Sequence, residues 1–570
     1  MVDRRAGLST GRLSPLWLVC SVALATPFGS ADGAGVPSSG ELLQEAPPPV
    51  VPPPAIKPGL TIEQPATGPP AASSPFFVRS IEISGNTLIP TSELRPLLDP
   101  SEGKNLTLTD LEALASAITK YYQDHGYLLS RAYVPAQTLS NAVVRIDVLE
   151  ARYGTVSLTN TSQVSDARLK SILSPLQSGD PVSEGTLQRS LLLLSDVPGT
   201  VVNSTLSAGP TVGSSNLLVL DAPGAPEAGS VSLDDAGNRS TGRARLSATV
   251  NVNNPLHLGD TLSLSGMTTG GDLNYARLGY QTLVDGEGTT VGAALSGLEY
   301  RLGHGLSELK AHGTAEVESL TLLRPIIRST EGNLFAQLSL DSKQLRDELG
   351  ASNIHTDRET NALTTTLAGD ERDAYGISNM NLGLSLGHLN FDNQEAQTAD
   401  ALGARTRGSY DKFAFSFARL QGFNDFNSLY FAFNGQLANR NLDSSEQDFL
   451  GGPNSVRAYD VGAVGGALGA LASLEFRHNL DVPVAGTWQA KVFVESGVLK
   501  VDKYVFATGP NTATLSGAGI GLNWAGPAGW TANADLATPI GTVPALVGHT
   551  SSLRLWIELH KAFSVDPGSL

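Results

Sequence analysis

One pattern constrains this chain more than any other. From about residue 225 to 563 apolar and small polar residues alternate, in segments of about ten separated by turn residues. Ala244, Leu246, Ala248, Val250 and Val252 interleave with Arg243, Arg245, Ser247, Thr249 and Asn251. Leu382, Leu384, Leu386 and Leu389 recur with Gly and Ser between them, and Phe413, Phe415 and Phe417 alternate with Lys412, Ala414 and Ser416. In the last segment Leu553, Leu555, Ile557, Leu559 and Phe563 share one face, and Arg554, Trp556, Glu558 and His560 share the other. No convincing helix interrupts this region. A period of two means strands with one greasy and one polar face. A soluble sandwich of two sheets shows the same alternation, but it needs a second hydrophobic layer that this length does not supply. A sheet facing lipid must close on itself, because an open edge leaves backbone groups unpaired in hydrocarbon. At roughly 20 residues per strand and connection, the region holds about 16 strands.

The start of the chain agrees. Arg4, Arg5 and Arg12 precede a short apolar run, Leu16 to Ala25, and then the small residues Gly29-Ser30-Ala31. This is the pattern of a secretory signal over 1-31. Cys20, the single cysteine, falls inside that run and reads as filler, so the mature chain has no thiol or disulfide chemistry. After 31 there is no apolar run of the roughly 20 residues that a membrane helix requires. The net charge of -17 argues against a nucleic-acid partner, which demands a basic face.

Between signal and barrel lie four further units. Residues 32-46 include ELLQEA, a turn or two of amphipathic helix, and 47-75 form a proline-rich linker headed by PPPVVPPP, a composition that favours extended spacers. Residues 76-150 read strand, short helix (Thr91 to Leu98), longer helix (Thr107 to Asp124), strand, strand. Leu108, Leu111, Leu114, Ala115, Ile118 and Tyr122 fall on one face of the longer helix, and Thr109 with Glu112 is a candidate cap. Residues 151-223 repeat the order, with helices at Asp166 to Leu173 and Ser183 to Ser195. Two copies at a spacing of about 75 residues are tandem small α/β modules. Neither carries a paired acid and base, a metal-ligand cluster or a phosphate loop. The nine histidines show no grouping with serine and acid, and the glycine-rich 462-470 lacks the Lys-Ser/Thr of a nucleotide loop and reads as flexible.

One loop of the barrel region stands out. Gly451 to Gly462, GGPNSVRAYDVG, carries a single cation, Arg457, among turn residues between strands at 428-438 and 470-479. On an ordinary loop it sits in water. If the loop folds into the barrel, the guanidinium needs a partner.

The order of these parts resembles the outer-membrane transporters of two-partner secretion, the ShlB/FhaC/HecB-like TpsB family, over essentially the whole mature chain. VRSIEISGNTLIP is similar to the opening of that family's first POTRA (polypeptide-transport-associated) module, and NVNNPLHLGDTLSLSG to its first barrel hairpin. Val456, Arg457, Ala458 and Tyr459 resemble the VRGY motif of a loop folded into the lumen, with Ala458 in place of the usual Gly, a change expected to stiffen the tip. Phe493, Glu495 and Gly497 resemble a barrel-wall motif whose acid is usually Asp. The resemblance implies POTRA modules at 76-150 and 151-223, a barrel over 224-570 with an inward loop near 450-469, and a plug-like helix in 32-46. It also implies a contact between Arg457 and Glu495; on the residues alone, Glu495 lining a wet pore is an equal reading.

The implied function is export of a TpsA-like exoprotein from periplasm to surface, without nucleotide, cofactor, metal or catalysis. The implied surroundings are outer-membrane lipid and lipopolysaccharide, with the barrel-assembly machinery during biogenesis. The edge strands of the modules and the grooves beside their helices, at Leu108, Leu111, Ile118, Tyr122, Leu187, Leu191 and Leu194, are the expected partner contacts, although such apolar rows are also what a core requires. A membrane-protein assembly factor of the same superfamily and a passive porin are the alternatives.

Overall fold

The computed structural model describes residues 36–47, 57, 59–62, 74–303, 305–547 and 550–565. The signal segment and most of the proline-rich linker lie outside them.

Sixteen antiparallel strands, from Glu227–Asp234 to Arg554–Ser564, close into a barrel. Closure is made by the first strand pairing with the last, from Ala228 opposite Ser564 to Asp234 opposite Glu558. The outer wall is apolar: Leu264, Leu295, Leu320, Leu340, Leu386, Val492, Ile520 and Ile557 are all exposed. The polar residues that alternate with them face a lumen that buries them, as Thr249, Ser265, Lys343, Lys412, Glu475 and Arg554 show. A sheet turned greasy side out is a membrane barrel and not a sandwich. Leu389 breaks its row, because it is buried while Leu384 and Leu386 point outward.

The two modules have the expected order. Their helices are Thr91–Leu98 and Leu108–Asp124 in the first, and Asp166–Leu173 and Glu184–Ser195 in the second. The long helix of the first is capped two residues before the expected cap. Thr107, not Thr109, is the N-cap, and its hydroxyl and the Asp110 carboxylate satisfy each other's backbone N–H in a capping box. The seven apolar residues offered as partner contacts need correction. Leu111, Ile118, Tyr122, Leu187, Leu191 and Leu194 are each at most 1% exposed and form the two module cores. Leu108 is half-buried. A residue with no accessible surface offers nothing to a partner, so these rows hold the modules together.

The second module sits on the short turns at one end of the barrel. Asp196 accepts two bonds from Arg328, at 2.7 and 2.8 Å, Arg168 reaches the Val284 carbonyl, and Ser165 N–H the His257 carbonyl. On the orientation that the resemblance implies, that end is the periplasmic one. Linker residues Leu60–Ile62 add a parallel strand to this module's edge, opposite Ser204 to Leu206.

The far end carries the longer connections. One holds a helix that the alternation hid, Gln394–Leu402, capped by Asn393. Another, 439–467, turns inward. It is longer than expected, and its glycine-rich part is not simply flexible, because Val464–Gly466 pairs with Asp448–Leu450 in a small hairpin.

Candidate functional site

The inward connection brings Val456 to Tyr459 against strands Leu468–Leu480, Thr487–Lys500, Thr512–Ala525 and Trp530–Pro539. Alternation aims Glu475, Glu495 and Asp535 inward from three of these strands, and Arg457 meets all three. Its Nε donates to Glu495 Oε1 at 2.6 Å, and its backbone N–H to Glu495 Oε2 at 2.8 Å. Nη1 reaches Asp535 at 3.0 Å and Nη2 reaches Glu475 at 2.5 Å. The guanidinium lies over the Phe493 ring, 3.5 Å from its centroid. Trp556 Nε1–H donates to the Arg457 carbonyl at 2.7 Å.

Arg457 is 4% exposed and Glu495 3%. One cation against three buried carboxylates would leave a large charge imbalance. Lys491 binds Asp535 at 2.8 Å and Arg477 binds Glu475 at 2.5 Å, so three cations face three anions. A planar guanidinium with donors on every edge fits such a site, whereas an ammonium has neither the fork nor the flat face.

The small residues around the tip have steric reasons. Ala458 is fully buried, and a Cβ on Gly517 would come within 2.6 Å of its methyl. Gly517 thus makes room for the methyl that Ala458 carries. A Cβ on Gly497 would meet Leu450 of the inward loop at 2.6 Å, so Gly497 leaves the gap into which the loop's hairpin packs.

A second group of charges holds the base of the loop. Glu446 binds Lys343 at 2.8 Å and Lys412 at 2.7 Å, both from the wall. Arg358 bridges Asp443 of the loop, at 2.9 Å, and Asp347 of the wall. Asp347 is also the seat of the N-terminal helix, Ser39–Leu43, which lies inside the barrel near its outer end. Ser39 donates to it from the backbone at 2.6 Å and from its hydroxyl at 3.0 Å, and Ser38 Oγ donates to Ser444 Oγ of the loop at 3.0 Å. Leu42 fills an apolar pocket with Met267, Leu273, Tyr275, Leu298 and Tyr300. Glu45 accepts from the Asn238 N–H at 3.0 Å, while Gln44 Nε2 and Glu45 Oε1 have no protein partner. The helix rests on Asp347, and Arg358 links that carboxylate to Asp443 of the loop.

A third polar anchor lies outside the membrane. Glu150, where the modules join, accepts from the N–H groups of Thr87 and Leu88, at 2.6 and 2.7 Å, and from the Tyr122 hydroxyl at 2.9 Å. Burial pushes this carboxyl up, but the bonds from Leu88, Thr87 and Tyr122 outweigh it and hold the group below the ordinary carboxylate value.

The sequence pointed to Arg457, its neighbours Val456, Ala458 and Tyr459, and Phe493, Glu495 and Gly497, and the structure brings all seven together. It had not pointed to Glu475, Lys491, Arg477, Asp535 and Trp556, or to the group around Arg358 and Glu446. Their inward parity was readable from the alternation, but which strands face the loop was not.

Comparison with known proteins agrees with this fold. The family model described as haemolysin secretion/activation protein ShlB/FhaC/HecB matches residues 213–524, and the ShlB-type POTRA domain matches 76–151. The heme/hemopexin transporter protein HuxB of Haemophilus influenzae is 27% identical over 97% of this chain and 100% of its own. The outer membrane transporter CdiB of Escherichia coli is 30% identical over 34% of this chain and 32% of its own. The solved structure of CdiB from Escherichia coli superposes with a TM-score of 0.70 at 22% identity, covering 88% of this chain and 93% of that one. That of BamA from Haemophilus ducreyi, lacking POTRA domains 1-3, gives 0.52 at 15% identity, covering 86% of this chain and 100% of that one. These two structural likenesses concern the fold.

Proposed function

The chain belongs to the ShlB/FhaC/HecB family of haemolysin secretion/activation proteins, outer-membrane transporters with periplasmic POTRA modules, and we propose that it exports one secreted partner protein from the periplasm to the cell surface. One observation carries this reading. The barrel lumen is occupied by two segments of the chain itself, the loop carrying Arg457 and the helix Ser39–Leu43, above a second module docked on the periplasmic turns. A passive porin leaves its lumen open and needs no periplasmic modules. A translocation pore needs a filling that holds at rest and gives way to a chain in transit.

Recognition is assigned to the module edges. The second module's edge already takes an extended strand, Leu60–Ile62, so a partner segment adding there forms the same backbone bonds. The periplasm holds no nucleotide, so folding of the cargo outside supplies the direction of travel. The barrel works among outer-membrane lipid and lipopolysaccharide and reaches the membrane through the barrel-assembly machinery.

The test is co-expression with a candidate partner exoprotein, scored by its appearance in the medium. Export that needs both this chain and residues 76-150 supports the reading. Export unchanged without the chain refutes it. If instead other outer-membrane proteins fail to assemble when the chain is deleted, the assembly-factor reading replaces it.

A further inference from the structure

Most cations of the barrel wall are paired, as Arg245, Arg324, Arg346, Arg358, Arg419 and Arg477 show. One stretch of the outer rim differs. Arg405 and Arg407 precede strand Gly408–Gly422, Arg440 follows strand Asn427–Ala438, and Lys500 and Lys503 stand at the outer end of strand Thr487–Lys500. Among the described residues none of these five side chains forms an ion pair within 4 Å, although the Asp400 carboxylate accepts from the Arg407 backbone N–H at 3.0 Å and the Asp502 carboxylate interacts with Lys500. Arg407 reaches the side chains of Asn390 and Gln397 at 3.0 Å, and Arg405 the Ala401 carbonyl at 3.3 Å. Arg440 spans the carbonyls of Ser409, Arg405 and Arg407, and Lys500 takes that of Lys503 at 3.2 Å. In a chain of net charge -17, five cations against the two carboxylates Asp400 and Asp502 leave a local positive excess.

Register fixes their depth. Phe413 opposes Leu437, and both are exposed on the lipid side. The next outward pair toward the cell exterior is already polar, with Asn439 donating to Asp411 at 2.7 Å. Arg407 lies six residues beyond Phe413 in sequence, roughly 20 Å along the strand and about 14 Å along the barrel axis at a tilt of ~45°. Lys500, opposite Leu468, stands at the upper edge of the apolar wall next to the exposed Val498. The cations thus begin where the hydrocarbon contact ends and rise through the headgroup layer.

The surface is also fixed in shape. Asn441 donates to the carbonyls of Ala404 and Tyr504, each at 2.8 Å, and accepts from the Tyr504 N–H at 2.7 Å. One side chain therefore staples the segment carrying Arg405 and Arg407 to the one carrying Lys500 and Lys503. Exposed guanidinium donors at headgroup depth on a fixed support match the oxygens of a phosphate ester. Asp411, on the same face but nearer the hydrocarbon, marks the lower limit of the patch.

We infer that this rim is a binding site for the phosphorylated headgroup of an anionic glycolipid of the outer leaflet, held by Arg405, Arg407 and Lys503 with Arg440 bracing them from beneath. The inference deepens the proposed contact with lipopolysaccharide and rests on the outer-membrane location, not on export of a partner.

The experiment uses the full-length protein in detergent micelles, titrated with diphosphorylated lipid A and with its phosphate-free form and followed by native mass spectrometry. The intact protein is expected to prefer the phosphorylated form at least tenfold. The triple variant Arg405→Gln, Arg407→Gln, Lys503→Gln should lose that preference while keeping the heat-modifiable gel mobility of a folded barrel. Arg324→Gln, at the periplasmic end, should keep it. If the triple variant does not fold, the single changes Arg405→Gln and Lys503→Gln are each expected to weaken binding about threefold. Equal binding of the two lipid forms, or unchanged affinity in the folded variants, overturns the site. Complete displacement of lipid A by an equal concentration of inorganic phosphate overturns the lipid as its ligand. Export of a co-expressed partner is scored in parallel: loss of lipid preference with export intact supports the site and leaves the transport reading standing.

Discussion

Two segments of the chain enter the barrel, and they are held by different physics. The loop is anchored by charge. Arg457 spends every edge of its guanidinium on Glu495, Asp535 and Glu475 and its face on Phe493, and Glu446 adds two lysines below. The helix is anchored by shape. Leu42 in its pocket and Ser39 on Asp347 do most of the holding, none of its own side chains forms an ion pair among the described residues, and just past its end Gln44 Nε2 and Glu45 Oε1 lack a protein partner. Removing one member of a buried charge group strands the others, so such an anchor fails at high cost or not at all. A five-residue helix with one buried leucine leaves at far smaller cost. The loop is thus the more firmly anchored of the two segments, and the helix the one held by fewer polar contacts.

The largest effect that would break this contrast is at Arg457. Arg457→Ala should cost about 3–5 kcal/mol locally, because it leaves Glu475, Glu495 and Asp535 against only Lys491 and Arg477. Secretion of the partner is expected to fall at least tenfold while heat-modifiable mobility still reports a folded barrel. Arg457→Lys should recover little, since an ammonium cannot serve three carboxylates and a ring at once. Normal secretion by either variant would remove the anchor from the mechanism.

A smaller effect is expected at the helix. Leu42→Ala removes its one fully buried apolar side chain, at about 2–3 kcal/mol if the pocket does not collapse. Bilayer recordings should show conductance raised several-fold, and secretion should survive. If Leu42→Ala leaves conductance unchanged while Arg457→Ala raises it, the roles of the two segments are exchanged.

Between these lies Asp347, which both segments use. Asp347→Asn keeps an acceptor for Ser39 but removes the charge beside Arg358. It should raise conductance less than Leu42→Ala and reduce secretion less than Arg457→Ala. An effect on secretion as large as that of Arg457→Ala would place the coupling of the two segments, and not the loop tip, at the centre of transport.

How far this contrast could be read beforehand differs residue by residue. Arg457 and Glu495 were legible because Arg457 is the lone cation of its loop and Glu495 the lone charge of VFVESGVL, both in stretches that resemble family motifs, and because alternation assigns a strand residue to one face or the other. Asp535 is equally the lone charge of its alternating strand, and Glu475 shares the polar face of its strand with Arg477. Yet their convergence on one guanidinium depends on the stagger of neighbouring strands, which no local pattern records. The leucines at 187, 191 and 194 illustrate the opposite failure. Their spacing shows that they share a helix face, but a core and a docking groove demand the same spacing. Thr107 and Thr109 are degenerate in the same way, since each has an acid three residues on. The helix Gln394–Leu402 was missed because nine mostly polar residues bury little and leave no periodic stripe; Asn393 was the only signal.

The smallest expected effect concerns the polar anchor outside the membrane, and it sharpens the comparison because its charge is carried by neutral donors. Glu150 is held below the ordinary value of about 4.5 by Leu88, Thr87 and Tyr122. A carboxyl depressed in the folded state adds stability that is complete above its unfolded value and disappears as the pH falls through the folded one. The junction of the two modules should therefore be firm near neutrality and loosen below about pH 4.5. Thermal unfolding of a fragment holding both modules, followed by circular dichroism, should drop more between about pH 6 and about pH 3.5 in the native sequence than in Glu150→Gln, whose amide does not titrate. Equal drops in the two proteins would mean that Glu150 acts through shape alone. The junction would then resemble the seat of Leu42, held by shape, and contrast with the inward loop, where charge does the holding.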